Sequence, residues 1–274
     1  MKLPLTSRFF EALSGQGSLE GYIQRRRDLV ILEILDGYTF VLACDSNASI
    51  GLKEHDYVRH SWKEVGRSAA KVPLMEVLAV GAFPFIVVDN LCVEPEPSGA
   101  GILEGIRFEV ERLGLDPDLV VTGSAEKNMI TTQTGLGVTV LGIAPQGSLR
   151  LGTSQPGDMV ACVGIPKNAP ERPYEEGDPE IMDPPATKQL RSLEFIHEIL
   201  PVGSHGIAYE MGVLAADSHL VAREVDTAIP TRVSAGASTC VLASLPVDCL
   251  EELKTKMNKP VNLVGWMEMQ RIPQ

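Results

Sequence analysis

Three short polar patches interrupt apolar stretches of the chain, and each carries a carboxylate. The first, Ala43-Cys44-Asp45-Ser46-Asn47-Ala48-Ser49-Ile50-Gly51, directly follows an apolar run and leads on to Lys53, Glu54 and Asp56. The second is Glu76, the lone carboxylate of the apolar stretch from Pro73 to Ala82. The third, Thr122-Gly123-Ser124-Ala125-Glu126-Lys127-Asn128, follows the run Leu119 to Val121. A carboxylate is costly to bury unless it is paired or bound to a metal. Mg²⁺ favours a few carboxylates together with phosphate oxygens and waters. If these segment ends converge, Asp45, Glu76 and Glu126 supply such a site. A plainer account stands beside this one: Asp45 and Glu126 as loop caps, and Glu76 on the exposed turn of an amphipathic helix. Lys53 is then a solvated partner of Glu54, a kind of surface pair that contributes little.

The elements that would carry these patches can be read from hydrophobic pattern. Leu29 to Leu35 and Tyr38 to Cys44 read as two strands joined by a tight turn at Asp36-Gly37. A helix is expected from about Glu64 to Val80, kinked or broken at Pro73, which lacks a backbone donor. Phe85 to Leu91, Asp118 to Val121 and Val138 to Ile143 read as further strands. Ser98 is placed as the N-cap of a helix carrying Ile102, Ile106, Val110 and Leu113, ended by Gly114. This alternation means α/β or α+β, which pattern alone does not separate.

Between Pro166 and Pro185 stand six prolines and six acids, a segment too polar to order itself through burial. It reads as a loop, either a mobile lid or a solvated insertion. Beyond it, Leu190, Leu193, Ile196 and Leu200 suggest one helix and Ile207, Met211 and Leu214 another. Strands at Thr239 to Leu245 and Val261 to Trp266 flank a helix at Val247 to Met257. A boundary near Ser148 divides the chain into units 1–147 and 148–274.

Composition narrows the function classes. The chain has 274 residues, 44% of them hydrophobic, and 36 acids against 24 lysines and arginines give a net charge of −12. A field of that sign repels nucleic-acid phosphates, although an anionic ligand held with a metal ion stays compatible with it. The longest apolar run, Val77 to Val88, falls short of the ~18 residues of a membrane span. The opening MKLPLTSRFF has no secretory pattern. The five cysteines are scattered without a C-x-x-C pair, as expected of reduced, mostly buried thiols in a cytoplasmic protein. No phosphate-loop motif, serine-hydrolase elbow or zinc-type histidine spacing occurs. Gly99-Ala-Gly101 with Gly105 looks like a dinucleotide fingerprint but has the wrong spacing and no preceding strand, so helix packing explains it better.

Residues 66–84, GRSAAKVPLMEVLAVGAFP, resemble the G-[RK]-x-A-x-x-N-x-S-D-[LI]-A-A-M-G-A-x-P stretch of the aminoimidazole ribonucleotide (AIR) synthetase-like superfamily. That group includes thiamine-monophosphate kinase, selenophosphate synthetase and a hydrogenase maturation protein. Val41 to Ser46 is similar to the superfamily's T-D-[ST] strand end, and Val120 to Ser124 to its G-G-D motif. Gln155 to Val160 is similar to its R-x-G-D-x-[IV] entry into the second domain. Ala235 to Ser238, Thr239 to Pro246 and Val261 to Gly265 resemble that domain's closing strands.

The departures are specific. The early G-D-D-A box is absent, with Arg25-Arg26-Arg27-Asp28 in its region. N-x-S-D has become Pro73-Leu74-Met75-Glu76, and G-G-D has become Thr122-Gly123-Ser124. The reactive N-terminal Cys of selenophosphate synthetase and the C-terminal Cys of the hydrogenase protein are also missing; the chain closes with Arg271 to Gln274. The combination of Cys44 to Asp56, Leu74 to Leu78 and Thr122 to Asn128 looks most like the α-ribazole kinase branch.

This resemblance implies an α/β plus α+β fold. An N-terminal α/β domain would form a barrel with a second subunit, followed by a C-terminal α+β domain. It implies a homodimer that binds ATP with Mg²⁺ and phosphorylates a nucleoside-like alcohol. Asp45, Glu76 and Glu126 would then hold the metal, and Lys53 would neutralise the transferring phosphoryl group. Ser46, Asn47, Thr122, Gly123, Ser124 and Asn128 would bind phosphate or substrate. His205 and Glu210 either line the substrate cleft or lie on a helix surface. Two other readings stay open: a different ATP-dependent reaction of the superfamily, and an ATP-binding homodimer without turnover.

Overall fold

A computed structural model describes residues 4–270; the closing Arg271 to Gln274 lie outside them. After helix α1 (Leu5–Glu11) come strands β1 (Ile23–Arg26), β2 (Leu29–Leu35) and β3 (Tyr38–Ala48), then the two-residue strands β4 (Ile50–Gly51) and β5 (Val58–Arg59). Helix α2 (Trp62–Ala79), strand β6 (Phe83–Leu91) and helix α3 (Ala100–Arg112) follow. The half closes with the short helix α4 (Pro117–Val120), β7 (Val121–Ala125) and β8 (Gly135–Pro145). Six strands form one sheet in the order β1-β2-β3-β8-β6-β7, antiparallel except for the β6–β7 pair.

Alternation decides which way this sheet faces. Along β8, Leu136, Val138, Val140 and Ala144 are buried under the helices, and the residues between them are half exposed. On β3, Thr39, Val41 and Ala43 point inward while Phe40 and Leu42 occupy the open face. Helices α2 and α3 cover the inner face, and their backbones touch. A Cβ on Gly105 would stand 2.0 Å from the Lys63 carbonyl oxygen, and one on Gly66 would stand 1.9 Å from that of Ile102. The glycine pattern around residue 101 is therefore helix packing, as its spacing suggested.

The second half carries β9 (Met159–Gly164), α5 (Pro184–Ser192), β10 (Glu198–Pro201), α6 (Ile207–Asp217) and β11 (Leu220–Glu224). It ends with β12 (Cys240–Leu245), α7 (Leu250–Lys256) and β13 (Val261–Met269). Its five-stranded sheet runs β10-β12-β9-β13-β11, antiparallel throughout. Every residue of β12 is buried, because α6 packs on one face of the sheet while α2, α5 and α7 pack on the other. Helix α2 is thus a wall common to both sheets. Leu74, Val77 and Leu78 pack beneath the first, and Met75 and Ala79 join the core of the second.

Several expectations change. Helix α2 runs unbroken through Pro73, whose surroundings are packed from both sides. Ser98 is not an N-cap: its hydroxyl donates to Glu94, and α3 starts at Ala100. Asp116 caps the single turn α4, with Pro117 in its first position, so the strand begins only at Val121. The helix spanning residues 190–200 ends at Ser192. Leu200 belongs to β10, where pairing with β12 overrides a spacing that also fits a helix. Strands β1, β4, β5, β9 and β11 were not foreseen. Cys162 and Cys240 are buried, Cys249 is half-buried and Cys44 and Cys92 are exposed, all as free thiols. Among the described residues no helix is long and apolar enough to cross a membrane.

Residues 166–183 form a loop that is exposed over much of Pro170 to Glu180 but tethered to the fold at several points. Ile181 and Met182 are buried in the core, and Lys167 Nζ binds Asp178 and Glu180, each at 2.7 Å. Helix α2 anchors the loop. Lys71 Nζ lies 2.6 Å from Glu176 Oε1, Arg67 donates to the Glu176 carbonyl, and the Glu176 N–H donates to Glu64.

Candidate active site

A cavity of about 430 Å³ lies between the two halves, and α2 forms its common wall. From the first half it receives Asp45, Ser46 and Asn47 at the end of β3, Asp28 in the β1–β2 turn, and Glu64, Ser68 and Glu76 of α2. The second half contributes Gly203, Ser204 and Glu210, and the loop Gly236 to Ser238 that leads into β12. Tyr174 and Glu176 of the 166–183 loop also line it, as does His60 before α2. Tyr174 spans the halves: its hydroxyl accepts from the Ala237 N–H at 3.3 Å, and its ring lies 4.8 Å from Lys71 Nζ.

The electrostatics are one-sided. Asp28, Asp45, Glu64, Glu76, Glu176 and Glu210 line the cavity without a lysine or arginine among its lining residues. Two of the six are paired, Glu64 with Arg67 and Glu176 with Lys71, which leaves Asp28, Asp45, Glu76 and Glu210 without a salt-bridge partner among the described residues. Glu76 sits on the buried face of α2, and burial, then the Asp28 carboxylate, pushes its pKa up to about 8. Asp45 is also raised, by burial first; a backbone hydrogen bond at Ser46 opposes this, and Asp28 adds to it. Asn47 Oδ1 is buried with no hydrogen-bond partner. Repelling carboxylates beside an orphan carbonyl oxygen form a set that a cation relieves.

That donor set fits a magnesium ion holding most of its own waters and ligand oxygens, not a cage made of protein alone. Among the described residues, no three His, Cys, Asp or Glu side chains converge in metal-holding geometry. Asp45, Glu76 and Asn47 are the groups available to such an ion, with Asp28 beside them.

The sequence-predicted residues divide into two groups. Asp45, Ser46, Asn47 and Glu76 share the cavity. Thr122, Gly123, Ser124, Glu126 and Asn128 lie on edge strand β7 and the loop after it, and none lines the cavity. The Glu126 carboxylate accepts the N–H groups of Asn128 at 2.7 Å and Met129 at 3.2 Å; these backbone bonds hold its pKa below the usual value. This is the loop-capping geometry that offered the plainer account of Glu126. Lys53 is not beside Glu54 but paired with Glu94, and it also donates to the Thr131 carbonyl at 3.0 Å. Glu210 lines the cavity, whereas His205 stacks on Tyr209 with ring centroids 4.5 Å apart.

Asp28 was not among the predicted residues, although it stands where the early acidic box was expected. Its presentation depends on the arginines before it. Arg27, at φ 54°, makes the turn, and its guanidinium pairs with Glu198 and with Asp217 at 2.8 Å. Arg26 binds Asp217 as well, at 2.9 Å. Glu198 also collects the N–H groups of Gly152, Thr153 and Ser154. The turn is thus clamped to the second half with Asp28 facing the cavity. A charged triplet followed by an acid was the available signal, but its partners lie more than 170 residues away.

Residues 26–144 match the family described as AIR synthase related protein, N-terminal domain. No curated protein matches the sequence. The fold is similar to that of thiamine-monophosphate kinase from Stenotrophomonas maltophilia K279a, with TM-score 0.62 and 15% identity over 98% of this chain and 95% of that one. It is also similar to AaThiL complexed with AMPPCP and TMP, with TM-score 0.59 and 13% identity over 99% and 94%. T. maritima PurL complexed with ADP gives TM-score 0.59 and 16% identity, covering 90% of this chain but 42% of the longer partner. The chain therefore has a mixed α/β fold of the AIR synthase-like kind.

Proposed function

We propose that this chain is an ATP-dependent kinase of a nucleoside-like alcohol, with the ribose 5′-hydroxyl of α-ribazole as the acceptor. The observation that carries this reading is the cavity's unneutralised carboxylates beside the orphan Asn47 Oδ1. Such a wall suits a nucleotide delivered with its own cation. Its lining has no lysine or arginine to hold a phosphate on the acceptor, which favours an unphosphorylated alcohol.

Asp45, Glu76 and Asn47 would hold the magnesium ion, whose chemistry is to neutralise charge on the phosphates. Ser46 and Ser68 would donate hydrogen bonds to the bound ligand, and Tyr174 with the docked loop would exclude water. Phosphoryl transfer needs positioning and charge neutralisation more than covalent help. Units 1–147 and 148–274 would serve as the nucleotide-binding and substrate-closing halves.

The open face of the first sheet, with half-exposed Phe40, Leu42, Leu141 and Ile143, is the surface on which a homodimer would form its barrel. In that assembly Thr122, Gly123, Ser124, Glu126, Asn128 and Lys53 would act on the nucleotide across the interface. The engagement of Lys53 with Glu94 favours a second reading, an ATP-binding homodimer without turnover.

Purified protein incubated with ATP, Mg²⁺ and α-ribazole should yield α-ribazole phosphate by mass spectrometry, and Asp45→Asn should abolish it without unfolding the chain. Saturable ATP binding without product would discard this substrate. Wild-type activity in Asp45→Asn would discard the metal role.

A further inference from the structure

We propose that Glu210 is the general base of this transfer, receiving the proton of the acceptor hydroxyl; the assignment rests on the kinase reading above. Glu210 lies in the first turn of α6 and reaches the cavity from the second half. Asp28, Asp45 and Glu76 enter from the first. The first-half set, with Asn47, is the one suited to a cation. Glu210 is then the carboxylate that the second half contributes, next to the lining residues Gly203, Ser204 and the Gly236 to Ser238 loop, and an acceptor seated against that half would meet it.

Its surroundings aim it without neutralising it. A backbone hydrogen bond from Gly203 steadies the carboxylate, whose Oε1 lies 3.5 Å from where a Cβ on Gly203 would be. No side chain among the described residues forms an ion pair with it. The charged groups facing it are Asp28 and Arg27 of the β1–β2 turn, Glu76 of α2 and His205 of the preceding loop. Burial, then Asp28, raises its pKa above the ordinary glutamate value against the opposing pull of His205, Gly203 and Arg27. That is the direction required of a base working near neutrality.

The step balances without a further reagent. The acceptor O–H bond breaks and its oxygen bonds to the γ-phosphorus of ATP. The bond from that phosphorus to the β–γ bridging oxygen breaks, ADP leaves with that electron pair, and the proton resides on Glu210.

The test compares wild type with Glu210→Gln and Glu210→Asp, using ATP and α-ribazole from pH 5 to 9, with α-ribazole affinity measured by calorimetry without ATP. In wild type kcat should rise with pH to a plateau as the base loses its proton. Glu210→Gln should lower kcat by about 10²–10⁴-fold, the usual worth of a positioned base. It should also weaken the acid limb, to which Asp45 and Glu76 contribute as well, and leave the Kd for α-ribazole within about threefold of wild type, as expected when a group acts only in the transition state. Glu210→Asp should keep the acid limb at reduced kcat. A Glu210→Gln enzyme with kcat within tenfold of wild type overturns the assignment. So does a raised Kd with kcat unchanged, which would make Glu210 a binding group only. A wild-type protein that forms no product overturns the kinase reading itself, and active wild type with unimpaired Glu210→Gln overturns the base alone.

Discussion

Lys71 Nζ lies 2.6 Å from Glu176 Oε1, with both side chains almost wholly out of solvent, and this pair holds the proline-rich loop 166–183 against helix α2. Glu176 also belongs to the cavity wall, so the contact that seats the loop closes one side of the candidate site.

Breaking one partner of that pair leaves an uncompensated buried charge. Lys71→Met should destabilise the protein by about 3–5 kcal/mol. Glu176→Gln should also cost stability, by stranding the lysine. The double variant should cost less than the sum of the singles, because it strands neither charge. Urea unfolding of all four proteins measures this, and additive losses would remove the latch from the account.

Asp89, on β6 and 4% exposed, has its pKa raised to about 6 by burial, against an ordinary value of 3.8. Between those values the folded chain holds a proton that the unfolded chain has released. Stability should therefore be fully present below about pH 4 and fall as pH rises through about 6. At about 1.4 kcal/mol per unit, the loss is on the order of 2–3 kcal/mol. Asp89→Asn should remove this slope and raise Tm at pH 7. A Tm profile with the same slope in both proteins would contradict it.

Gly105→Ala would place a Cβ 2.0 Å from the Lys63 carbonyl and force α3 away from α2. Overpacking of this sort costs typically about 1–3 kcal/mol, occasionally more. Because α2 carries Glu76 into the cavity, activity should fall along with stability. Thermal melting and ATP titration of the variant report the two effects separately, and an unchanged melt would refute the close helix contact.

Phe40 and Phe85 stand 6.1 Å apart, centroid to centroid, on the face of the first sheet that the helices leave open. If that face is the dimer surface, Phe40→Asp should weaken association by about 2 kcal/mol or more, roughly thirtyfold in dissociation constant. Sedimentation equilibrium would reveal this, and an unaffected dimer would place the interface elsewhere.

Much of the framework is local, and local chemistry is legible in a sequence. Strands β2, β3, β6 and β8 of the first sheet announce themselves as apolar runs, and α2 and α3 by their apolar faces. Asp45 and Glu76 stand out as acids bordering or interrupting apolar runs, and they do meet in one cavity. Where pattern misled, pairing decided. Ile196 and Leu200 have helical spacing, but β12 offers Leu200 and its neighbours an antiparallel partner.

The amino-acid sequence by itself determined strands β2, β3, β6, β8, β12 and β13, the glycines that let α2 and α3 touch, and a net charge of −12 whose field repels nucleic-acid phosphates. The fate of each charged side chain was decided only in three dimensions. Asp28 becomes a cavity residue because Arg26 and Arg27 reach Asp217 and Glu198 across the fold, whereas Glu126 turns back to cap its own loop. The physical reason is that a carboxylate's role depends on which cations, amides and apolar surfaces surround it. For Asp28, Glu76 and Glu210 those neighbours come from segments far apart in the chain.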